Sequence, residues 1–572
     1  MRQRSLTLTL VVVVALCTLL PTSASPQEEA YDVVITGGKV VDGTGNAWFY
    51  GDVGIRGDRI ARIAPAGMLA NAPAKERISA RGLVVAPGFI DIQSHSRDAF
   101  LDGDGRVISK ITQGITTEIM GEGWTNAPAN ERTIAMSRLL DDPAAIKRAQ
   151  EFTGPRGFDT WLRAMGSRGV SPNIGSFVGS ATIRAYVKGL EQGPPSAAEL
   201  ETMRQLLRNA MEDGAFGLAT ALIYPPDNFV STEDLIELAK AMAPYGGVYI
   251  THMRSEADKF LEAIDEAIRI GKEGGVPVEI YHLKAGGRRN WHKAALAVAR
   301  INAARAEGQD VAADMYLYIA GGTSLSACLP PWAAADGKLL DNLRNPEMRA
   351  RIRAEILQQT SDWENLCELA TPEGVMLGGF KRDENKPLAG KRLSEIAVGR
   401  GKDWIETAMD LISEEDNRVG GVYFMMTEDN VKLQLRQPWI KFGTDAEGND
   451  PEKATDLTHP RSYGNFPRLL GKYVREERVL SLEDAVRKAS SAVAQRLSLR
   501  DRGLLREGMF ADVVVFDAER IADRATFEQP HQLSVGVRHV LVNGVPVLRD
   551  AQHTGATPGR IVRGPGYREQ KK

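Results

Sequence analysis

Near the start of the chain, apolar and polar positions alternate in short runs, YDVVITGGKVVDG, DVGIRGDRIARIAP and LVVAPG. A two-residue period of this kind belongs to strands that bury one face. Similar runs return near the other end as GMFADVVVFD (508–517) and VRHVLVNGVPVL (537–548). Residues 25–85 and 490–572 are therefore expected to pair into one small β-sandwich domain built from both chain ends. Between them the pattern changes. GITTEIMG, GAFGLATAL, GGVYITHM, GVPVEIYHL, DVAADMYLY and WIKFGTD are short apolar runs, preceded by helix-like sequence such as SAAELETMRQLLRNAMED and STEDLIELAKAMAP. Strands alternating with helices over roughly 350 residues imply an α/β fold with a parallel sheet, and a closed (β/α)8 barrel is its most economical form. The barrel is expected over 86–489, with the charged, helix-rich stretch near 339–417 read as an insertion.

The first residues follow a different rule. Arg2 and Arg4 precede an apolar run from Leu6 to Leu20, and PTSASPQEE then supplies small and polar residues. This is the layout of a secretory signal peptide over residues 1–24, with the mature chain beginning near Ser25 and exported to the periplasm or beyond. The run is shorter than the roughly 20 residues of a spanning helix, which disfavours a membrane anchor. Leu16 before Cys17 disfavours lipid attachment. Loss of the two arginines takes the formal charge from −3 to −5. With charge nearly balanced and no long basic run, nothing points to nucleic acid or a stable membrane association. Cys328 and Cys367 are the cysteines left in the mature chain, and neither lies in a Cys-x-x-Cys pattern. They read as core or loop residues in preference to metal ligands, with a disulfide between them left open.

A barrel makes a demand on its polar residues, because active sites of this fold lie at the carboxyl ends of the strands. His95 follows PGFIDIQ, Glu122 follows GITTEIMG, His252 follows GGVYIT, His282 follows PVEIY, and Asp445 follows WIKFGT. A lone histidine at a strand end is ordinarily a hydrogen-bonded structural residue. Three of the chain's eight histidines at such positions, with two carboxylates, make the ligand set of a catalytic zinc site.

The order PGFIDxxxH, QGITTEIMG, YITHMRSE, YHLKAGG, DMYLY, FGTD and HPRSYGNFPRLLG resembles the amidohydrolase superfamily, and within it the N-acyl-D-amino-acid deacylase branch. The resemblance implies a zinc-dependent hydrolase of the amide bond of N-acyl-D-amino acids or small related peptides. It implies that His252 and His282 hold a firmly bound zinc and that Asp445 accepts a proton from the attacking water. Lys284, a tyrosine of DMYLY (Tyr318 as the candidate), Ser324 and Arg461 are implied as the residues that fix the carboxylate of a small-molecule substrate. Two positions depart from that branch. Its His-x-His is here Gln93-Ser94-His95, and in Gly121-Glu122-Gly123 the place of the cysteine of its Gly-Asn-Cys-Gly run is taken by Gly123, with Glu122 one residue earlier. Glutamine is a poor zinc ligand beside imidazole or carboxylate. One tightly held zinc is therefore expected on His252, His282 and Glu122, with His95 as a weak ligand or a hydrogen-bond donor to the oxyanion and a second, weak site possible. No lysine follows GAFGLATAL, which disfavours the branches that bridge two metals with a carbamylated lysine. A dipeptidase or other amidase on the same scaffold, and a ligand-binding protein without turnover, are the alternatives.

Overall fold

The computed structural model describes residues 30–136, 143–358, 362–454 and 456–569. The expected signal peptide lies outside the described residues. Eight parallel strands form the barrel: Phe89–Asp91, Ile115–Met120, Asn173–Ser176 continued by Val178–Gly179, Gly217–Ala221, Val248–His252, Val278–Ile280, Val311–Met315 and Ile440–Phe442. Numbered one to eight, each pairs in parallel with the next. The ring closes just past strands eight and one, where Ala446 pairs in parallel with Ser94 and Asp445 N donates to Gln93 O at 2.8 Å. Inside, Ile90, Ile119, Ala219, Ile250 and Tyr281 pack with Val493 and Leu497, which follow the last barrel helices.

The outer helices form where sequence punctuation dictates. Ala197–Asp213 starts at Ser196, whose side chain caps the Glu199 amide while Glu199 reaches back to the Ser196 amide, and it ends at Gly214 with φ 106°. Reciprocal capping of this kind supplies partners to amide groups that a helix leaves open. Its Met203, Leu206, Leu207, Ala210 and Met211 face inward at the three- and four-residue spacing of a packed helix face.

The β domain draws strands from both chain ends in one nine-stranded sheet, joined where Val84–Pro87 pairs antiparallel with Val513–Phe516. Strand Arg59–Pro65 bonds back to the segment before Val513, through Ile60 N to Met509 O at 2.9 Å, so the sheet encloses its own core of Val33, Val53, Ile55, Val513 and Val515. The C-terminal tail leaves this domain and runs along the barrel. Val562 N bonds to Ile174 O at 2.7 Å and Gly564 N to Gly214 O at 2.8 Å.

The insertion between strands seven and eight is wider than its helical signal near 339–417. It includes an antiparallel sheet of Gly321–Ser324, Gly420–Tyr423 and Val375–Gly378. Two of these strands, Gly321–Ser324 and Gly420–Tyr423, open on paired glycines and carry too little apolar alternation to be read as strands. A core of Leu325, Leu377, Met409, Leu411 and Ile412 supports them. Within it Cys328 and Cys367, 39 residues apart, form a disulfide. Opening a loop of this length costs about 4 kcal/mol in the chain-entropy account. Thermal unfolding of C328S/C367S should accordingly begin at lower temperature than in wild type, and a reductant should lower wild type toward the variant without affecting the variant.

Candidate metal centre

Glu122 sits on a turn that the sequence makes possible only through its neighbours. Gly121 (φ 120°) and Gly123 (φ 59°) both occupy the left-handed half of backbone space, and a Cβ on Gly121 would stand 2.4 Å from Phe177 O. That geometry is open to glycine and strained for other residues. The turn points the carboxylate across the mouth of the barrel. Its Oε1 lies 3.1 Å from His252 Nδ1 and 3.3 Å from His282 Nε2. Its Oε2 lies 3.5 Å from His95 Nε2 and accepts a 2.5 Å hydrogen bond from Gln93 Nε2. His95 Nε2 in turn is 2.9 Å from Asp445 Oδ1.

The expected ligand residues thus form two groups that share Glu122. Glu122, His252 and His282 offer ligand atoms that all lie within 4.8 Å of one another, and so do His95, Glu122 and Asp445. Two imidazoles and a carboxylate converging on one point suit zinc in both donor type and number. Gln93 departs from the ligand pattern for a reason visible here: its amide is turned toward Glu122 as a hydrogen-bond donor and supports the carboxylate.

The electrostatics agree with a cation position. Burial opposes charge on Glu122, yet the imidazole of His282, and then those of His252 and His95, hold its carboxyl well below the usual range. Burial and the Lys284 ammonium push His282 down, but Glu256 and Glu122 outweigh them and lift it to about 10. His95 is disfavoured as a cation by burial and lifted to about 9 by Asp445 and Glu122. A field that retains protons on buried imidazoles is one that favours a bound cation in their place.

The backbone around the cluster is held firmly. His282 (φ 34°) and Asp445 (φ 49°) are non-glycine residues in left-handed conformations, each at a cost of about 1–3 kcal/mol that the surroundings must offset. His282 N donates to Asp314 Oδ1 at 2.9 Å. Beneath Asp445, buried Lys110 places its ammonium 2.8 Å from both Asp91 Oδ2 and Ala446 O, while Asp91 Oδ1 accepts from the Thr444 amide at 2.9 Å. This network ties the ends of strands one and eight together, and those ends carry His95 and Asp445.

The substrate-binding expectations divide. Arg461 is buried beside the cluster. Its Nη1 forms a 2.6 Å ion pair with Asp445 Oδ2, and among the described residues its buried Nε has no hydrogen-bond partner. Lys284 lines the cavity but is committed to Glu256, at 2.6 and 2.7 Å. Tyr318 and Ser324 are not brought to the cavity. The Tyr318 hydroxyl donates to Asp523 at 3.2 Å, and the Ser324 hydroxyl is engaged by Ser326 and Asn417. Tyr316 and Thr323 line the cavity in their place. The chain has left strand seven at Met315, so the alternation that would assign one face to Tyr318 no longer applies. Glu256 and Arg97 also line the cavity without having been singled out in the sequence; for Glu256 the available signal was its place in THMRSE, four residues after His252.

The space around the cluster is a cavity of about 250 Å³ whose apolar wall includes Trp124, Ile223, Tyr224, Leu366 and Met425. A second cavity of about 480 Å³ shares Gly322, Thr323 and Asp445 with it and is lined by Arg461 and His459. Asp445 lines both cavities, and Arg461 beside it lines the second.

Known proteins are similar to this one over almost the full chain. A D-aminoacylase of Alcaligenes xylosoxydans xylosoxydans is 35% identical over 93% of this chain and 98% of its own length. An N-acyl-D-glutamate deacylase from the same organism is 35% identical over 94% and 97%. Among solved structures, a D-aminoacylase whose binuclear metal centre shows one-metal activation and second-metal attenuation has a TM-score of 0.77 at 33% identity, covering 93% of this chain and 100% of that one. N-acyl-D-glutamate deacylase from Bordetella bronchiseptica, complexed with zinc and a phosphonate mimic of the tetrahedral intermediate, has a TM-score of 0.76 at 32% identity, covering 94% and 100%. The sequence pattern of the amidohydrolase family matches residues 76–548. With its barrel, split β domain and strand-end cluster all in place, the chain belongs to the amidohydrolase family.

Proposed function

We propose that this protein is a zinc-dependent amidohydrolase that hydrolyses the amide bond of N-acyl-D-amino acids. The observation that carries the reading is the position of Glu122, between His252 and His282 on one oxygen and His95 and Asp445 on the other. Both the D configuration and the acyl amino acid rest on the relatives, which are a D-aminoacylase and deacylases of N-acyl-D-glutamate and N-acyl-D-aspartate. His252, His282 and Glu122 would hold the ion. Zinc, when bound, supplies Lewis-acid polarisation of the attacking water and the amide carbonyl. Asp445 then takes the proton of the water and passes it to the leaving amine nitrogen, with His95 beside it to donate a hydrogen bond to the developing oxyanion.

Arg461 is read as the partner of the substrate carboxylate, because it is buried beside the cluster, its Nε has no acceptor among the described residues and a guanidinium matches a carboxylate in shape. Lys284 lines the same cavity and is bonded to Glu256. Burial raises the Asp445 carboxyl, but Arg461 and then His95 hold it below its ordinary value. Arg461→Ala should therefore raise KM with zinc content unchanged. It should also move the acidic limb of kcat/KM to higher pH, since the base loses activity as pH falls through a pKa that is now higher. Loss of zinc from this variant would make Arg461 a structural residue.

Export is part of the same reading, supported by the leader-like N-terminus and by a disulfide of the kind that persists in oxidising compartments. N-terminal sequencing of protein from a native-like host tests it, with Ser25 expected near the start. For the activity, purified protein is assayed on paired N-acyl-D- and N-acyl-L-amino acids and dipeptides, with and without zinc. Zinc-dependent release of D-amino acids supports the proposal. Turnover of dipeptides alone would make this a dipeptidase, and none on any substrate would make it a binding protein.

A further inference from the structure

Behind the metal cluster lies a charged group to which the proposed chemistry gives no task. Glu256 is buried on the side of His252 and His282 away from Glu122. Its Oε1 is 3.0 Å from His282 Nδ1 and its Oε2 is 3.5 Å from His252 Nε2. These are the outer ring nitrogens, since the inner ones face Glu122. His252 Nε2 is buried and makes no hydrogen bond among the described residues, with Glu256 Oε2 the carboxylate oxygen beside it. The two rings stand nearly perpendicular, 86° apart with centroids separated by 4.4 Å, so one carboxylate addresses both from a single side.

The carboxylate is itself held. Lys284 Nζ bonds to both of its oxygens, at 2.6 and 2.7 Å, and also lies 2.7 Å from His282 Nδ1. The insertion fixes its backbone, as Glu364 Oε1 accepts from the Glu256 amide at 2.5 Å and the Ala257 amide at 2.7 Å.

We propose that Glu256 is the positioning residue of the metal centre: a single carboxylate placed to accept the outer N–H of both histidines once their inner nitrogens hold the ion, the Lys284 ammonium then leaving His282 Nδ1 and remaining on the carboxylate as its clamp. A histidine that gives one nitrogen to a metal keeps its proton on the other. A carboxylate acceptor there fixes the tautomer and the ring plane and makes the ligand nitrogen more basic. One acceptor serving both rings couples the two ligands. The inference rests on the reading of His252 and His282 as metal holders.

The test is zinc affinity, measured by chelator competition on metal-stripped protein and independent of turnover. E256Q should raise the zinc Kd by about 10- to 100-fold, the usual consequence of losing an outer partner. Because that variant leaves the buried Lys284 ammonium without its counter-charge, E256Q/K284M is prepared beside it and should show a similarly weakened Kd with a near-native melting temperature. In spectra of 15N-labelled histidine, two ring N–H protons shielded from exchange in zinc-loaded wild type should be lost in both variants. At saturating zinc, kcat should fall more than KM rises. Wild-type zinc affinity in E256Q and the double variant would overturn the positioning role. So would a defect confined to KM, which would return Glu256 and Lys284 to the substrate. A wild type that takes up no zinc would instead overturn the metal-centre reading, and this inference with it.

Discussion

Glu122→Ala should lose its tightly held zinc and at least about three orders of magnitude in kcat/KM, since Lewis-acid activation supplies several kcal/mol and each 1.36 kcal/mol is tenfold. The size follows from where the carboxylate stands. Glu122 is the anion common to both candidate ligand groups, so its removal leaves His252 and His282 as two neutral ligands with no charge between them. Folding should survive. The Gly121–Gly123 turn is unchanged, and besides the contacts to His252, His282 and His95 the variant loses the hydrogen bond from Gln93, worth about 1–3 kcal/mol if its amide is left without an acceptor. Zinc analysis and a melting curve on the same sample separate the outcomes. Stoichiometric zinc retained in the variant would remove Glu122 from the site.

Asp445→Asn should lower kcat by about 100- to 10,000-fold, the range for removing a general acid–base group, while tightly bound zinc stays near the wild-type amount. Asparagine keeps the shape of the side chain and its backbone bond to Gln93 O, but cannot take a proton at neutral pH. The acidic limb set by Asp445 should vanish from the residual activity. Loss of zinc in this variant would instead make Asp445 a ligand of the firm site, with the proton passing elsewhere.

Which parts of this site can be read from the sequence follows from how the barrel presents them. Strands buried on both faces are continuous apolar runs, and a polar residue just beyond such a run lies at the catalytic end. That rule finds His95, Glu122, His252, His282 and Asp445 because each stands within a few residues of a strand end. It does not find Glu256, whose importance comes from Lys284 on the next strand end and from two ring nitrogens facing the same way. Its one local signal is its place in THMRSE, four residues after His252. Tyr316 and Tyr318 show a second limit. They are two residues apart in one motif, yet one lines the cavity and the other bonds to Asp523 in the chain's closing segment. The Cys328–Cys367 disulfide and the sheet of the insertion are hidden for the same reason, since both depend on contacts between segments far apart in sequence.

The departures at residues 93 and 122 become intelligible together. A glutamine that donates to Glu122 and a glutamate that faces His252 and His282 with one oxygen and His95 with the other form one hydrogen-bonded unit. The unit favours a firm ion on the side of His252 and His282, with His95 kept beside Asp445 for the reacting atoms.

Zinc titration of the metal-stripped wild-type protein, following hydrolysis of an N-acyl-D-amino acid, tests that claim most directly. Activity should be absent without metal, rise with added zinc and reach its maximum at one equivalent per chain, with further zinc adding nothing or lowering the rate. Full turnover without metal, or turnover that begins only after a second equivalent, would contradict it.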